Sequence, residues 1–131
     1  MLDFIDCYQE DAVAWRIDGK VTEEDMHAAL DAVKRKIDTY GHVCVYQEIG
    51  SLGGVEFDAI LEKLEFLASV GISAFRRIAV VTDKRWVKRV IDWENRIFRG
   101  IDLRAFAVEE RGRAFNFLAY GDDIDPAPDA A

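Results

Sequence analysis

The sequence predicts an α/β protein: a five-stranded mixed sheet flanked by about four helices, in the order β-β-α-β-α-β-α-β-α. Three observations predict it. The chain opens with two alternating apolar/polar runs separated by a short polar connection, which is the pattern of a hairpin. Beyond that hairpin, segments of helical periodicity alternate with short apolar runs, as in parallel βα units. One of those runs, "FRRIAVVTD" at 75–83, is nearly continuous in apolar residues, as a strand covered on both faces must be.

Taken in order, "LDFIDCY" (2–8) and "AVAWRIDG" (12–19) are the hairpin strands, joined across Gln9–Asp11. Thr22 is an N-cap, and Glu23, Glu24 and Asp25 lie in the first turn, where carboxylates meet the positive end of the helix dipole. Met26, Ala29, Leu30, Val33, Ile37 and Tyr40 recur at helical spacing, Lys34 to Lys36 sit toward the C-terminus, and Gly41 ends the helix. "HVCVYQEI" (42–49) reads as a strand and "GSLGG" (50–54) as the turn after it. Phe57, Ile60, Leu61, Leu64 and Leu67 mark the next helix, stopped by Gly71. Asp83 then caps a helix whose apolar side carries Val87, Val90, Ile91, Glu94 and Ile97 or Phe98. "IDLRAFAVE" (101–109) is the fifth strand, and "ERGRAFNFLAYG" (110–121) a last helix packing through Ala114, Phe117 and Leu118. Residues 1–121 form one domain. The tail "DDIDPAPDAA" (122–131), acidic and rich in Pro and Ala, is expected to be disordered.

The net charge is −8, unevenly spread: −9 over residues 1–75, +5 over 76–104 and −4 over 105–131. The total disfavours nucleic acid as a partner, because phosphate contacts need accessible positive charge. No apolar run approaches the ~20 residues of a membrane helix, so no transmembrane segment is expected. "MLDFIDCYQED" is acidic where a signal peptide is basic, which predicts a cytoplasmic protein. Cys7 and Cys44 fall in strand-like runs and read as buried free thiols rather than a disulfide.

"GKVTEEDMHAAL" after a hairpin, "RRIAVVTDKRWVKRV" and "DLRAFAVEERGRAFNFL", in that order, resemble the SpoIIAA-like proteins. These are bacterial STAS-type domains also grouped with the CRAL-TRIO lipid-binding superfamily. The resemblance spans about residues 2–120 and implies the same α/β fold. STAS domains of the anti-sigma-factor-antagonist kind bind a partner kinase and switch when a Ser or Thr is phosphorylated, in a D-S-[ST]-G-like turn entering a helix. The corresponding stretch here is "GSLGGVE". Ser51 is its only hydroxyl and no Asp adjoins it, so the chain departs from the switch pattern there. The CRAL-TRIO kinship implies instead an apolar ligand between helices and sheet.

Two places stand out as candidate sites. The turn Gly50, Ser51, Gly53 and Gly54 lies beyond the C-terminal end of a strand, where α/β sheets commonly take ligands. It lacks the Lys of a nucleotide-binding loop and the glycine spacing of a dinucleotide fingerprint, so a plain turn is the simpler reading and a Ser51 phospho-switch the sharper one. In the basic segment after Asp83, Trp86 and Trp93 are seven residues apart among Arg85, Arg89 and Arg96. Trp and Arg dominate interface cores, which makes this a candidate partner surface. A solvated helix with core-edge indoles is the plain alternative.

His27, His42, Cys7 and Cys44 lack the paired spacing of a zinc site, and no activated nucleophile is visible. Glu48, at a strand end before the Gly-rich turn, reads as one half of a salt bridge to a neighbouring Arg. No cofactor, metal or catalytic activity is therefore expected. The sequence points to a non-catalytic regulatory or protein-interaction module with a protein partner, self-association into a homo-oligomer included. The alternative is a carrier or sensor of a small apolar or lipid-like ligand.

Overall fold

The structure is a computed structural model, and it describes residues 1–50, 72–83 and 102–121. Within them the elements are β1 (Leu2–Ile5), β2 (Ala12–Ile17), α1 (Glu23–Tyr40), β3 (Val43–Ile49), β4 (Phe75–Val81), β5 (Asp102–Phe106) and α2 (Arg111–Tyr120). The five strands form one mixed sheet in the order β1-β2-β3-β4-β5. β1 is antiparallel to β2, and the pairs β2–β3, β3–β4 and β4–β5 are parallel. Segments 42–49 and 75–83 are thus neighbours in the middle of the sheet and leave it at the same rim. Of the four helices expected, α1 and α2 are described; those placed at 53–70 and 84–98, and the tail at 122–131, lie outside the described residues.

α1 forms where its signals stand. The Thr22 hydroxyl accepts the Asp25 amide and the Asp25 carboxylate accepts the Thr22 amide, both at 3.1 Å, a reciprocal capping box. At the other end Gly41, at φ 78°, takes the left-handed conformation that a side chain would strain, and its amide donates to the Ile37 carbonyl. Met26, Ala29 and Val33 are the buried stripe.

Side-chain alternation gives the sheet two covered faces. On one, Val13, Trp15, Ile17, Val43, Val45, Ile49 and Leu103 pack with Ala29 and Val33 of α1. On the other, Ala12, Ala14, Cys44, Tyr46, Ala79, Val81 and Phe106 pack with Ala114, Phe117 and Leu118 of α2, as the sequence predicts for that helix. All of β3 is buried. Phe115 of α2 stacks flat on Tyr46, with ring centroids 4.2 Å apart, fixing the helix against the central strand.

Two element boundaries depart from the sequence reading, and one strand pairing is irregular. β1 stops at Ile5, paired with Ala14, so Asp6–Asp11 form the connection and Cys7 lies beyond the strand. That connection is closed by the Ala12 amide on the Gln9 carbonyl, while the Gln9 side chain bridges Asp11 and the Leu118 carbonyl. β5 stops at Phe106, because the Glu110 carboxylate accepts the Ala107 amide at 2.8 Å and turns Val108–Glu110 into a 3₁₀ helix. Finally, β3–β4 pairing shifts register between Val43 and Cys44, which pair with Phe75 and Arg77 and skip Arg76. Arg76 instead lies within 3.4 Å of His42.

Candidate functional site

The side chains that face α2 are apolar along most of each strand and turn polar at the C-terminal rim. Arg16 is the penultimate residue of β2 and Glu48 that of β3, and the parallel register sets them directly side by side. Tyr46 is two residues back on the same face. Arg111 opens α2 after the Ala107–Glu110 turn, which delivers its side chain to the same place.

Glu48 is 5% exposed, and its carboxylate is the hub. Oε1 accepts Arg111 Nε at 2.7 Å and the Tyr46 hydroxyl at 2.8 Å. Oε2 accepts Arg111 Nη2 at 3.2 Å and, in a short contact, Arg16 Nη1. Arg16 Nε also donates to Asp18 at 3.1 Å. The Arg111 hydrogen bonds outweigh the cost of burial and, with those from Tyr46 and Arg16, hold the Glu48 carboxyl at about 2. Burial pushes the Tyr46 phenol up, reinforced by the adjacent carboxylate. Asp18 and then Glu48 raise Arg16, and Glu48 raises Arg111. At neutral pH the cluster is therefore an ionised carboxylate between two guanidiniums with a neutral phenol beneath.

Gly50 follows on from this cluster, its amide donating to the Ile17 carbonyl at 2.8 Å. A Cβ at this position would fall 2.3 Å from Asp18 Oδ1 and 3.1 Å from Arg16 Nη2, so a side chain here has to push the Asp18 carboxylate, and with it the Arg16 pair, aside. Gly50→Ala is expected to lower the unfolding free energy by about 1–2 kcal/mol. In an Asp18→Ala background the same substitution should cost much less, by urea denaturation; equal losses in both backgrounds would exclude the clash as the cause.

The opposite rim carries a second polar group. His42 Nε2 lies 2.7 Å from Asp11 Oδ2, and Gln9 donates to the other oxygen at 2.8 Å. Burial opposes the charge on Asp11, but the Gln9 and His42 hydrogen bonds prevail and keep its carboxyl below the ordinary range. The Leu118 carbonyl, in the last turn of α2, accepts Gln9 Nε2, Arg77 Nε and the Cys44 thiol. These contacts seat the helix end. Cys7 and Cys44 are free thiols; Cys44 is buried, as expected, which pushes its pKa up, whereas Cys7, beyond the end of β1, is only half-buried. Among the described residues no group of three or more His, Cys, Asp or Glu side chains is placed to hold a metal. No helix among them is long and apolar enough to cross a membrane.

Of the candidate residues in the sequence, Gly50 is at this rim, while Ser51, Gly53, Gly54, Arg85, Trp86, Arg89, Trp93 and Arg96 lie outside the described residues. Asp83 is described, but the helix it was expected to cap is not. Sequence reasoning picked out Glu48 and missed Arg16, Tyr46 and Arg111. The signal for Arg16 was there: it is the one charged residue in the strand "AVAWRI", and it sits at the same strand end as Glu48.

Residues 12–119 match the SpoIIAA-like family model. A protein of the DUF3478 family with a SpoIIAA-like fold, from Shewanella loihica PV-4, superposes with a TM-score of 0.63 over 90% of this chain and 92% of that one. Their identity is 13%, so the likeness is one of fold. No curated protein matches the chain. With the family model spanning β2 to the last turn of α2, the chain belongs to the SpoIIAA-like family of STAS-type domains.

Proposed function

We propose that this domain is a non-catalytic regulatory module that acts by docking a protein partner. The observation that carries the reading is the state of the Glu48 cluster. A carboxylate at the C-terminal rim of an α/β sheet is where a general acid or base would stand. Glu48 is instead held at about 2 and accepts hydrogen bonds from Arg16, Tyr46 and Arg111, far from the range in which it could exchange protons near neutrality. Tyr46 and Cys44 are both shifted away from ionisation. The groups that chemistry would need serve as struts, and membership of the SpoIIAA-like family supports the same reading. Arg85, Trp86, Arg89, Trp93 and Arg96 are the surface proposed for the contact, with a second copy of the chain as one form of partner.

Native mass spectrometry of the full chain taken directly from its cells tests this. The expected species is a defined complex with protein and no retained small molecule. A bare monomer would overturn the docking module. A monomer carrying an apolar molecule would replace it with the ligand-carrier reading.

A further inference from the structure

We propose that the Arg16–Glu48–Arg111 cluster is an oxyanion-binding site, with Arg111 as the residue that receives the ligand. A carboxylate offers about four acceptor positions. In Glu48 they are taken by Arg111 twice, Tyr46 and Arg16. Two guanidiniums thus share one buried negative charge. Arg16 has a second carboxylate in Asp18 at 3.1 Å, whereas among the described residues Glu48 is the one carboxylate paired with Arg111, beside the Tyr46 hydroxyl. From Asp18 through Arg16 and Glu48 to Arg111 the charges alternate in sign, and the series ends on a cation whose side chain is 47% exposed. The next member of that alternation is an anion.

The arrangement is prepared for one. Arg111 is held through Nε and Nη2 in a fork on a buried carboxylate, so its half-exposed guanidinium has little conformational freedom left to lose on binding. The carboxylate of Glu110, the residue before Arg111, is occupied by Arg113 at 2.6 Å and the Ala107 amide at 2.8 Å. The site lies at the C-terminal ends of parallel strands, where open α/β sheets take ligands. With a net charge of −8, the chain as a whole repels anions, so uptake would report a local site rather than general attraction. The ligand chemistry is an oxyanion, either a phosphate monoester or a carboxylate. This site stands or falls independently of the docking reading, which the mass spectrometry above decides.

The test is NMR of the arginine Nε–H signals of the full chain, titrated with inorganic phosphate and, in parallel, acetate, at constant ionic strength. Arg111 and Arg16 are expected to shift saturably with a dissociation constant on the order of 1 mM, while Arg113 and Arg35 stay still. Stronger binding of phosphate names a phosphate ester as the ligand class, and stronger binding of acetate a carboxylate. Arg111→Lys keeps the charge but not the fork and should lose the saturable response, whereas Arg113→Lys retains it. Equal drift at all surface arginines, or no saturation in the unaltered chain, overturns the site even if Arg111→Lys proves unfolded.

Discussion

Trp15→Ala is expected to lower the unfolding free energy by about 4 kcal/mol, measured by urea denaturation. Trp15 is 2% exposed in the α1-facing core, between Val13 and Ile17 on β2 and beside Gln47 on β3. Phe4 meets it edge-on at a centroid distance of 6.4 Å. The loss combines the transfer of a large ring with the cavity left under α1, which the surrounding β-branched side chains cannot close. It has a polar component as well, because Trp15 Nε1 donates to the Gln47 side chain at 3.2 Å in the buried interior. Trp15→Phe separates the two terms: it keeps most of the apolar volume, orphans the Gln47 oxygen and should cost about 1–3 kcal/mol. Adding Gln47→Leu removes both partners of the bond, and most of that cost should then return. If Trp15→Ala loses no more than Trp15→Phe, ring volume at the sheet centre is not what holds α1 to β2.

The elements readable from sequence are those whose signals are local. α1 carries its cap, its stripe and its terminal glycine within its own residues; the cap and the glycine act as expected, and of the stripe Met26, Ala29 and Val33 are buried, Leu30 and Ile37 half-buried and Tyr40 exposed at the helix end. β3 and β4 were legible because strands covered on both faces leave nearly unbroken apolar runs. The end of β5 was not legible, because Ala107 has no side-chain acceptor to announce a helix start; the turn depends on Glu110 reaching back three residues. The short β1 was hidden similarly, since its alternation continues past Ile5 although the pairing with Ala14 ends there. The site shows the same division. Glu48 was visible as a carboxylate at a strand end. Its union with Arg16 requires the β2–β3 register, and its union with Arg111 requires α2 to lie on the matching face, 63 residues away in sequence. Local signals weigh charge and aromatic density instead, which is why they pointed to the basic segment after Asp83.

Glu48→Ala is expected to lower the unfolding free energy by about 3 kcal/mol. The substitution leaves the Tyr46 hydroxyl buried without its acceptor and removes the charge that Arg16 and Arg111 share. Both guanidiniums are partly exposed and can turn to water, which keeps the loss below that of a fully enclosed pair. Glu48→Gln preserves the shape and isolates the charge, and pH is the variable that reads it. The folded-state carboxyl titrates at about 2 instead of its ordinary 4.5. Because that value is depressed, its contribution to stability is complete above about pH 4.5 and disappears as pH falls through about 2. A difference of this size is worth about 3 kcal/mol. The unaltered chain should therefore lose stability between those two values more steeply than Glu48→Gln, and the two curves should converge at the acid end. Parallel curves across that window would mean that Glu48 is not the ionised hub of the rim, and the two arginines would then have no common anchor from which to present an oxyanion site.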